Sequence, residues 1–157
     1  MKAIPTAYKG YHFRSRLEAR WAVFFDTIGL EWDYEPEGFE LANGVKYLPD
    51  FFIKGNGWRG PYIEVKPERP SDQELRKLCL LCEEKSAYGL LVWGDPLKGG
   101  AYYIHKEGHV ECELSGVDKT DHWLFISCGS AKMSDFAKAV QAFRSARFEF
   151  GTSGASL

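Results

Sequence analysis

This sequence contains, within a short stretch, acidic and basic side chains of the kind that act on phosphate esters. Asp50 follows Pro49, and after thirteen further residues comes the triplet Glu64-Val65-Lys66. Successive side chains of a strand alternate between its two faces, so Glu64 and Lys66 project together while Val65 turns into the core. If the strand that carries Asp50 pairs with this one, two carboxylates meet beside an ammonium group.

Such a group of side chains has a definite chemistry. Two carboxylates, a backbone carbonyl and water molecules form the partial oxygen shell in which proteins bind Mg²⁺, and this shell leaves room for a phosphate oxygen. The ion polarises the phosphodiester and acidifies a bound water, while Lys66 orients that water and offsets the charge that grows on phosphorus. The pattern therefore predicts a phosphodiester hydrolysis site.

Each motif also has a simpler interpretation. A Pro-Asp pair is usually a turn or the start of a strand, and Glu-x-Lys is common as an exposed charge pair across strands. Here, however, apolar residues stand on both sides of Asp50 and of Glu64. The two carboxylates are therefore expected in buried strands, where an unpaired charge is costly and a metal ion or a partner lysine relieves the cost. Taken together, the motifs favour a functional site over these simpler interpretations.

Three helices are predicted around these strands. Residues 15–29 begin with a capping box, Ser15 and Glu18, and end at Gly29. Residues 71–87 begin with the same S-x-x-E spacing, and residues 134–147 form an amphipathic last helix. The first helix has an apolar stripe made of Leu17, Trp21, Phe24, Phe25 and Ile28.

The strands are predicted from alternation and from turn residues. They are 30–35, a hairpin of 39–41 with 45–53, then 61–66, 88–93, a hairpin of 101–105 with 110–114, and 123–128. The run 88–93 is almost entirely apolar, which is typical of a central strand covered on both faces. The expected fold is a single α/β domain over residues 1–150, with a mixed central sheet flanked by helices and a disordered tail at 151–157.

Composition narrows the class of protein. A chain of 157 residues with 45% hydrophobic residues can form one ordinary core. The net charge of −2 excludes a histone-like basic protein and a polyacidic tail protein, so a nucleic-acid site must be local. The sequence lacks an apolar run long enough to span a membrane and a signal peptide at its start, and its four cysteines are too few for a disulfide framework. We therefore expect a cytoplasmic protein without a membrane partner.

The Pro49-Asp50 pair and the Glu64-Val65-Lys66 triplet, in successive predicted strands, resemble the motif of the PD-(D/E)XK nuclease superfamily. Glu18 on the preceding helix stands where that family often has an acidic metal ligand. The resemblance covers residues 9–95, and its spacing is similar to small phage-type endonucleases. It implies a restriction-endonuclease-like core and an intracellular protein encoded by a phage in a bacterial host.

The resemblance also implies roles for individual residues. Asp50 and Glu64 would bind Mg²⁺ directly with help from the Val65 carbonyl, and Mn²⁺ would substitute. Glu18 would bind the ion directly or through water, and Lys66 would position the attacking water. The activity implied is that of a metal-dependent deoxyribonuclease whose products carry a 5′ phosphate and a 3′ hydroxyl.

Basic residues near the start of the first helix suggest how DNA is held. A helix amino end with arginines beside a metal site is suited to bind phosphates through arginine forks and free amides, although such a run is often only a solvated edge. A glycine-rich loop at 55–60 is expected to extend the same phosphate-binding surface. The expected DNA-binding residues are Lys9, Arg14, Arg16, Arg20 and Arg59.

Three alternatives to a simple endonuclease stay open. A junction resolvase would use the same site but select branched DNA by shape. A catalytically inactive nucleic-acid-binding module would keep the arginines, and a structural or inhibitory protein on this scaffold would fit the net charge of −2. Cutting both strands requires two sites related by symmetry, which a homodimer would supply. Base specificity and the role of residues 96–130 have no readable pattern.

The cysteines offer a further metal hypothesis. Cys79 and Cys82 are three residues apart on one helical face, but Cys112 and Cys128 lie on separate predicted strands without the spacing of a zinc or iron–sulfur site. Buried thiols are the simpler interpretation. The histidines at 105, 109 and 122 surround predicted hairpins and are interpreted as surface residues.

Overall fold

The computed structural model describes residues 3–55, 57–112 and 135–148. Within these residues there are three α-helices: α1 (Arg16–Ile28), α2 (Asp72–Lys85) and α3 (Phe136–Ser145). The same residues form ten β-strands, which are β1 (Thr6–Tyr8), β2 (Tyr11–Phe13), β3 (Trp32–Tyr34), β4 (Phe39–Glu40), β5 (Lys46–Tyr47), β6 (Phe51–Ile53), β7 (Tyr62–Lys66), β8 (Gly89–Trp93), β9 (Gly100–His105) and β10 (Gly108–Cys112).

Six of the strands form one sheet, in the order β10-β9-β8-β7-β6-β3. Strands β7 and β8 are parallel and are connected through α2, whereas the other neighbours are antiparallel. This confirms the predicted α/β class with a mixed sheet flanked by helices. The prediction that 88–93 is a central strand is also confirmed, because β8 lies between β7 and β9.

Helices cover both faces of the sheet and bury two clusters. On one face α1 and α3 pack over Phe51, Ile63 and Val65, and α1 contributes the fully buried Trp21. On the other face α2 packs over Tyr62 and over residues of β8 and β9. Strand β7 lies between the two clusters, so its alternate side chains are fixed from both sides.

The predicted starts of α1 and α2 and the predicted end of α1 are confirmed by their caps, although the Glu18 side chain accepts from the Arg14 amide and leaves the capping box of α1 half formed. Helix α2 ends earlier than predicted, at Lys85, and α3 is shorter than the predicted 134–147. Ser15 Oγ accepts a hydrogen bond from the Glu18 amide at 3.1 Å, and Gly29 ends α1 in the left-handed region at φ 90°. Helix α2 begins with a full capping box between Ser71 and Glu74. Glycine suits the end of α1 because it has no Cβ to clash at positive φ.

The prediction of one long hairpin at 39–53 is wrong. Strand β5 ends at Tyr47 and pairs with β4 in a separate two-stranded sheet, while β6 starts at Phe51 and joins the main sheet. Pro49 stands between them and cannot donate a ladder hydrogen bond, which separates the two strands. The strand predicted at 30–35 is shorter, Trp32–Tyr34.

The hairpin of β1 and β2 was not expected from the sequence, because Lys9-Gly10 joins two strands of only three residues. The predicted strand at 123–128 and the predicted tail at 151–157 lie outside the described residues. None of the helices in the described part of the chain is both long and apolar enough to cross a lipid bilayer.

Trp21 should be a main contributor to stability, since it is fully buried between α1 and α3 and its ring lies 5.3 Å from that of Phe143. Trp21→Ala is expected to lower the free energy of unfolding by about 3–5 kcal/mol, measured by urea denaturation. Leu97→Ala, at a side chain that is 45% exposed, is the control and should change it by less than about 0.5 kcal/mol. Equal effects of the two substitutions would contradict this packing.

Candidate active site

Asp50 and Glu64 lie together at the end of the sheet where β6 meets β7. Phe51 pairs with Ile63 in the antiparallel ladder, and the next pair of this register is Asp50 with Glu64. Asp50 Oδ2 accepts a hydrogen bond from the backbone amide of Val65 at 2.8 Å. Asp50 and Glu64 are both buried, with less than a tenth of each residue exposed. The structure thus brings together the two acidic residues that thirteen others separate in the sequence.

Pro49 leaves the ladder between β6 and β7 incomplete at this point. Ile53 donates to the carbonyl of Pro61, so every second pair of this register exchanges backbone hydrogen bonds. Phe51 with Ile63 is the following pair of this kind, and Pro49 with Val65 would be the one after it. Proline has no N–H to offer the Val65 carbonyl, while the Val65 amide turns to the Asp50 carboxylate. The Val65 carbonyl is therefore left without a backbone donor from Pro49.

Lys66 is held between two carboxylates. Its Nζ lies 3.3 Å from Glu64 Oε2 and 3.1 Å from Glu74 Oε2, and its side chain is 25% exposed. Glu64 Oε1 accepts a hydrogen bond from the Tyr47 hydroxyl at 2.8 Å. The expected shared face of Glu64 and Lys66 is thus present, and each partner is fixed by a second contact.

Glu18 reaches the site from the first turn of α1. Its Oε1 accepts hydrogen bonds from the Tyr34 hydroxyl at 2.5 Å and from the Arg14 amide at 3.2 Å. It is close enough to Asp50 for the charge of Glu18 to raise the pKa of Asp50. The three predicted acidic residues therefore form one electrostatic group, although Tyr34 and Arg14 hold the Glu18 carboxylate.

Burial and mutual repulsion set the protonation of this group. Burial raises the pKa of Asp50 well above its usual value, and the charges of Glu64 and Glu18 raise it further. Burial also raises the pKa values of Glu64 and Glu18. For Lys66, burial favours the neutral amine, but the charges of Glu64 and Glu74 outweigh it, so its pKa is raised and it stays an ammonium group.

Arg14 and Arg16 lie at the amino end of α1, next to Glu18. Arg14 is exposed, and its Nε lies 2.8 Å from Glu35 Oε2. Arg16 Nε is buried and has no hydrogen-bond partner among the described residues. Both lie close to Glu18 along the chain, and their role in DNA binding stays a prediction.

The other three predicted DNA-binding residues lie elsewhere. Arg20 Nη1 donates to the carbonyl of Phe143 at 2.9 Å and so ties α1 to the end of α3. Lys9 Nζ lies 3.2 Å from Asp26 Oδ2, eight residues along α1 from Glu18, which is about 12 Å of helix. Arg59 precedes β7 and is thus at the opposite end of that strand from Lys66. The structure does not bring Lys9 and Arg59 to the acidic group.

Tyr34, Tyr47 and Glu74 are site residues that the sequence analysis missed. Both tyrosines are polar groups in otherwise ordinary strand patterns, and a hydroxyl partner for a distant carboxylate leaves no local signal. Burial raises the pKa of both hydroxyls, and so do hydrogen bonds to Glu18 and Glu64, so both remain protonated donors. Glu74 did have a signal: the capping box places it in the first turn of α2, eight residues after Lys66.

The cysteine hypothesis gains little from the structure. Cys82 is buried and Cys79 partly buried, and burial raises the pKa of the Cys82 thiol to about 12. Cys79 Sγ lies 3.8 Å from His109 Nδ1. Within residues 3–55, 57–112 and 135–148, no three His, Cys, Asp or Glu side chains are arranged to hold a metal ion by themselves. Residues 122 and 128 lie outside the described residues.

Comparisons with known proteins give only a distant structural likeness. No protein-family model matches the chain, and no curated protein matches it. Among solved structures, the chain is similar to part of a protein in a cryo-electron-microscopy structure of a DrdV–DNA complex, with a TM-score of 0.36 and 17% identity. The match covers 82% of this chain and 10% of that chain, so this chain spans about a tenth of its length. The site is therefore interpreted from its own geometry.

Asp50→Asn is expected to raise the free energy of unfolding at pH 7, on the order of 1 kcal/mol, because the amide still accepts the Val65 hydrogen bond but carries no buried charge. A carboxyl whose pKa is raised in the native state binds its proton more tightly there. The stability it contributes is present at low pH and is lost as the pH rises from 3.8 through the raised native value. Urea denaturation across this range should show the gain at pH 7 shrinking towards acid.

Asp95→Asn is the control with the opposite sign. Hydrogen bonds from Arg144 lower the pKa of Asp95 to about 2, so its stabilising contribution is present above pH 3.8 and is lost as the pH falls through about 2. This substitution should therefore destabilise the protein at pH 7. A destabilised Asp50→Asn at neutral pH would contradict the electrostatic description of the site.

Proposed function

We propose that this chain is a divalent-metal-dependent endonuclease that hydrolyses phosphodiester bonds of DNA. The observation that carries the proposal is the meeting of Asp50, Glu64 and Lys66 at one end of β6 and β7, two buried carboxylates with an ammonium group 3.3 Å from the second. The raised pKa of Asp50 supports it, because burial and then repulsion by Glu64 and Glu18 raise this pKa, and a divalent cation would offset both.

The donors present fit Mg²⁺ in type and number. Mg²⁺ prefers hard oxygen ligands and is usually bound through one or two carboxylates, water and substrate phosphates, without an all-protein cage. Asp50, Glu64 and the Val65 carbonyl would supply the protein ligands, and Glu18 would act through water while Tyr34 holds its carboxylate. Asp50 Oδ1 accepts no hydrogen bond from the described residues, so it is open to such a role. When bound, the ion would polarise the phosphodiester and lower the pKa of a bound water.

Lys66 contributes charge and orientation. Because its pKa is raised, it keeps its proton and donates hydrogen bonds; it does not accept the proton of the attacking water. Glu64 and Glu74 fix the Nζ over the site, from where it would hold a water or a phosphate oxygen and offset the negative charge that develops in the transition state. Tyr47 in turn orients Glu64 through its hydroxyl.

Arg14 and Arg16 would hold the DNA backbone next to this group. They flank the amino end of α1, where backbone amides and the helix dipole favour phosphate. Phosphate contacts of this kind set the position of the strand but carry no base specificity. A homodimer would place two such sites on opposite strands, and a junction resolvase would differ only in the shape of DNA that it selects.

Supercoiled plasmid gives the direct test. Purified protein should nick it with Mg²⁺ or Mn²⁺ and leave it intact with a chelator. Asp50→Asn, Glu64→Gln and Lys66→Met should each lower the nicking rate about 100-fold or more. The first two remove a carboxylate that would hold the metal ion, and the third removes the positive charge that would stabilise the reacting phosphate. Product ends carrying a 5′ phosphate, shown by direct ligation, would agree with the implied chemistry.

Two substitutions of the same type serve as controls. Asp33→Asn removes a carboxylate that is 43% exposed and pairs with Lys54, and Lys98→Met removes an exposed ammonium group. Both should leave the nicking rate within about twofold. Nicking that survives Asp50→Asn and Lys66→Met would rule out this site, and DNA binding without any nicking would favour the non-catalytic binding module.

A further inference from the structure

Arg69 is the centre of a second group of contacts beside the candidate site. Its Nη1 and Nη2 lie 2.9 and 2.6 Å from the two carboxylate oxygens of Glu111, so the pair is bidentate. Its Nη2 also donates to the Tyr102 hydroxyl at 2.9 Å. Arg69 comes from the loop between β7 and α2, and Glu111 from β10, so two separate parts of the chain meet here.

Two aromatic rings orient the Arg69 guanidinium. Its Cζ lies 5.4 Å from the ring centre of Trp93 and 5.7 Å from that of Tyr102. The two rings are 5.4 Å apart. The Trp93 ring rests on Gly100, where an added Cβ would come within 2.2 Å of it, so only glycine leaves room for the ring in this position. The guanidinium is thus held in one orientation before any ligand binds.

This group is continuous with the carboxylate site. Arg69 follows Lys66 by three residues, a span of at most about 11 Å. Trp93 stands directly opposite Lys66 in the parallel register of β7 and β8. A nucleic-acid strand whose phosphate lies at Lys66 would therefore bring a neighbouring phosphate within reach of Arg69.

We propose that Arg69 binds a phosphodiester group of the nucleic-acid strand next to the one that is cleaved, and that Glu111 occupies this place in the free protein. This inference deepens the proposed function and rests on it for the identity of the ligand. A planar guanidinium presents the same two-donor fork to a carboxylate and to a phosphate, so Glu111 imitates the ligand it gives way to. Strand binding would exchange one anion on Arg69 for another.

The exposure of the Arg69–Glu111 ion pair favours a contact in which another anion can replace Glu111, over a fixed structural salt bridge. The Arg69 and Glu111 side chains are 57% and 51% exposed. Ion pairs that are this exposed contribute little to stability, since water and salt compete for both partners. By contrast, Trp93 and Tyr102 keep the guanidinium oriented when Glu111 leaves. Glu111 therefore acts as a competitor for the binding face of Arg69.

Binding of a fluorescent DNA duplex, followed by anisotropy with Ca²⁺ in place of Mg²⁺, tests the proposal. Arg69→Ala should weaken binding about 5- to 20-fold and reduce the salt dependence by about one phosphate contact. Arg69→Lys should also bind more weakly than wild type, because it keeps the charge but loses the fork. Glu111→Gln should bind about 3- to 10-fold more tightly, since the competing carboxylate is gone.

Glu107→Gln is the matched control. Glu107 is exposed in the turn of the same β9–β10 hairpin, so its replacement changes the net charge by the same amount without touching Arg69. Its gain in affinity should be clearly smaller than that of Glu111→Gln. Equal gains would overturn the proposal, and so would unchanged binding by Arg69→Ala. Urea denaturation of each variant checks that the fold is retained.

Further arms identify the ligand and separate this inference from the nuclease proposal. A matched RNA duplex and inorganic phosphate distinguish a DNA strand from other sources of phosphate. The same substitutions are made in an Asp50→Asn background, which cannot cleave if the nuclease proposal holds. If the wild type fails to cleave DNA but Arg69 and Glu111 still control binding, the nuclease proposal fails and the phosphate site stands. If the wild type cleaves DNA but replacement of Arg69 leaves binding unchanged, the nuclease proposal stands and the phosphate site fails.

Discussion

The structure around the candidate site depends on the burial of two like charges, Asp50 and Glu64, at neighbouring positions of paired strands. The burial of each carboxylate is unfavourable, because the group loses its hydration and is repelled by the charge of the other carboxylate. The surrounding elements supply donors in compensation: the Val65 amide, the Tyr47 hydroxyl and the Lys66 ammonium group. The small sheet of β4 and β5 positions the Tyr47 hydroxyl, and β7 supplies both the Val65 amide and the Lys66 ammonium group.

Two helices bring acidic groups to the same region by the same local device. Glu18 and Glu74 are each the third residue after a serine cap, in α1 and α2. Near a helix amino end a carboxylate is favoured by the dipole and by free amides. Glu74 closes its own capping box with one oxygen and binds Lys66 with the other. The Glu18 carboxylate leaves the capping box of α1 half formed and instead accepts hydrogen bonds from the Tyr34 hydroxyl and the Arg14 amide.

The net charge of −2 and a DNA ligand are compatible because the charges are sorted in space. Acidic groups hold Lys66 in the proposed site, and the exposed Arg14 and Arg69 lie at the amino end of α1 and in the loop before α2. Under our proposal even the ion pair of Arg69 and Glu111 belongs to this pattern, as a carboxylate occupies a phosphate position until the strand arrives.

The sequence by itself determined the helices, the capped ends of α1, the capped start of α2, the central strand and the shared face of Glu64 and Lys66, because caps and side-chain periods depend on residues a few positions apart. It also indicated that Asp50 and Glu64 would meet. Only the tertiary structure decided that β5 and β6 separate, that Tyr34 and Tyr47 hold the acids, and that Lys9 lies far from the site. Identical S-x-x-E caps gave Glu18 and Glu74 different partners, because those partners come from strands whose neighbours are set by packing over the whole chain.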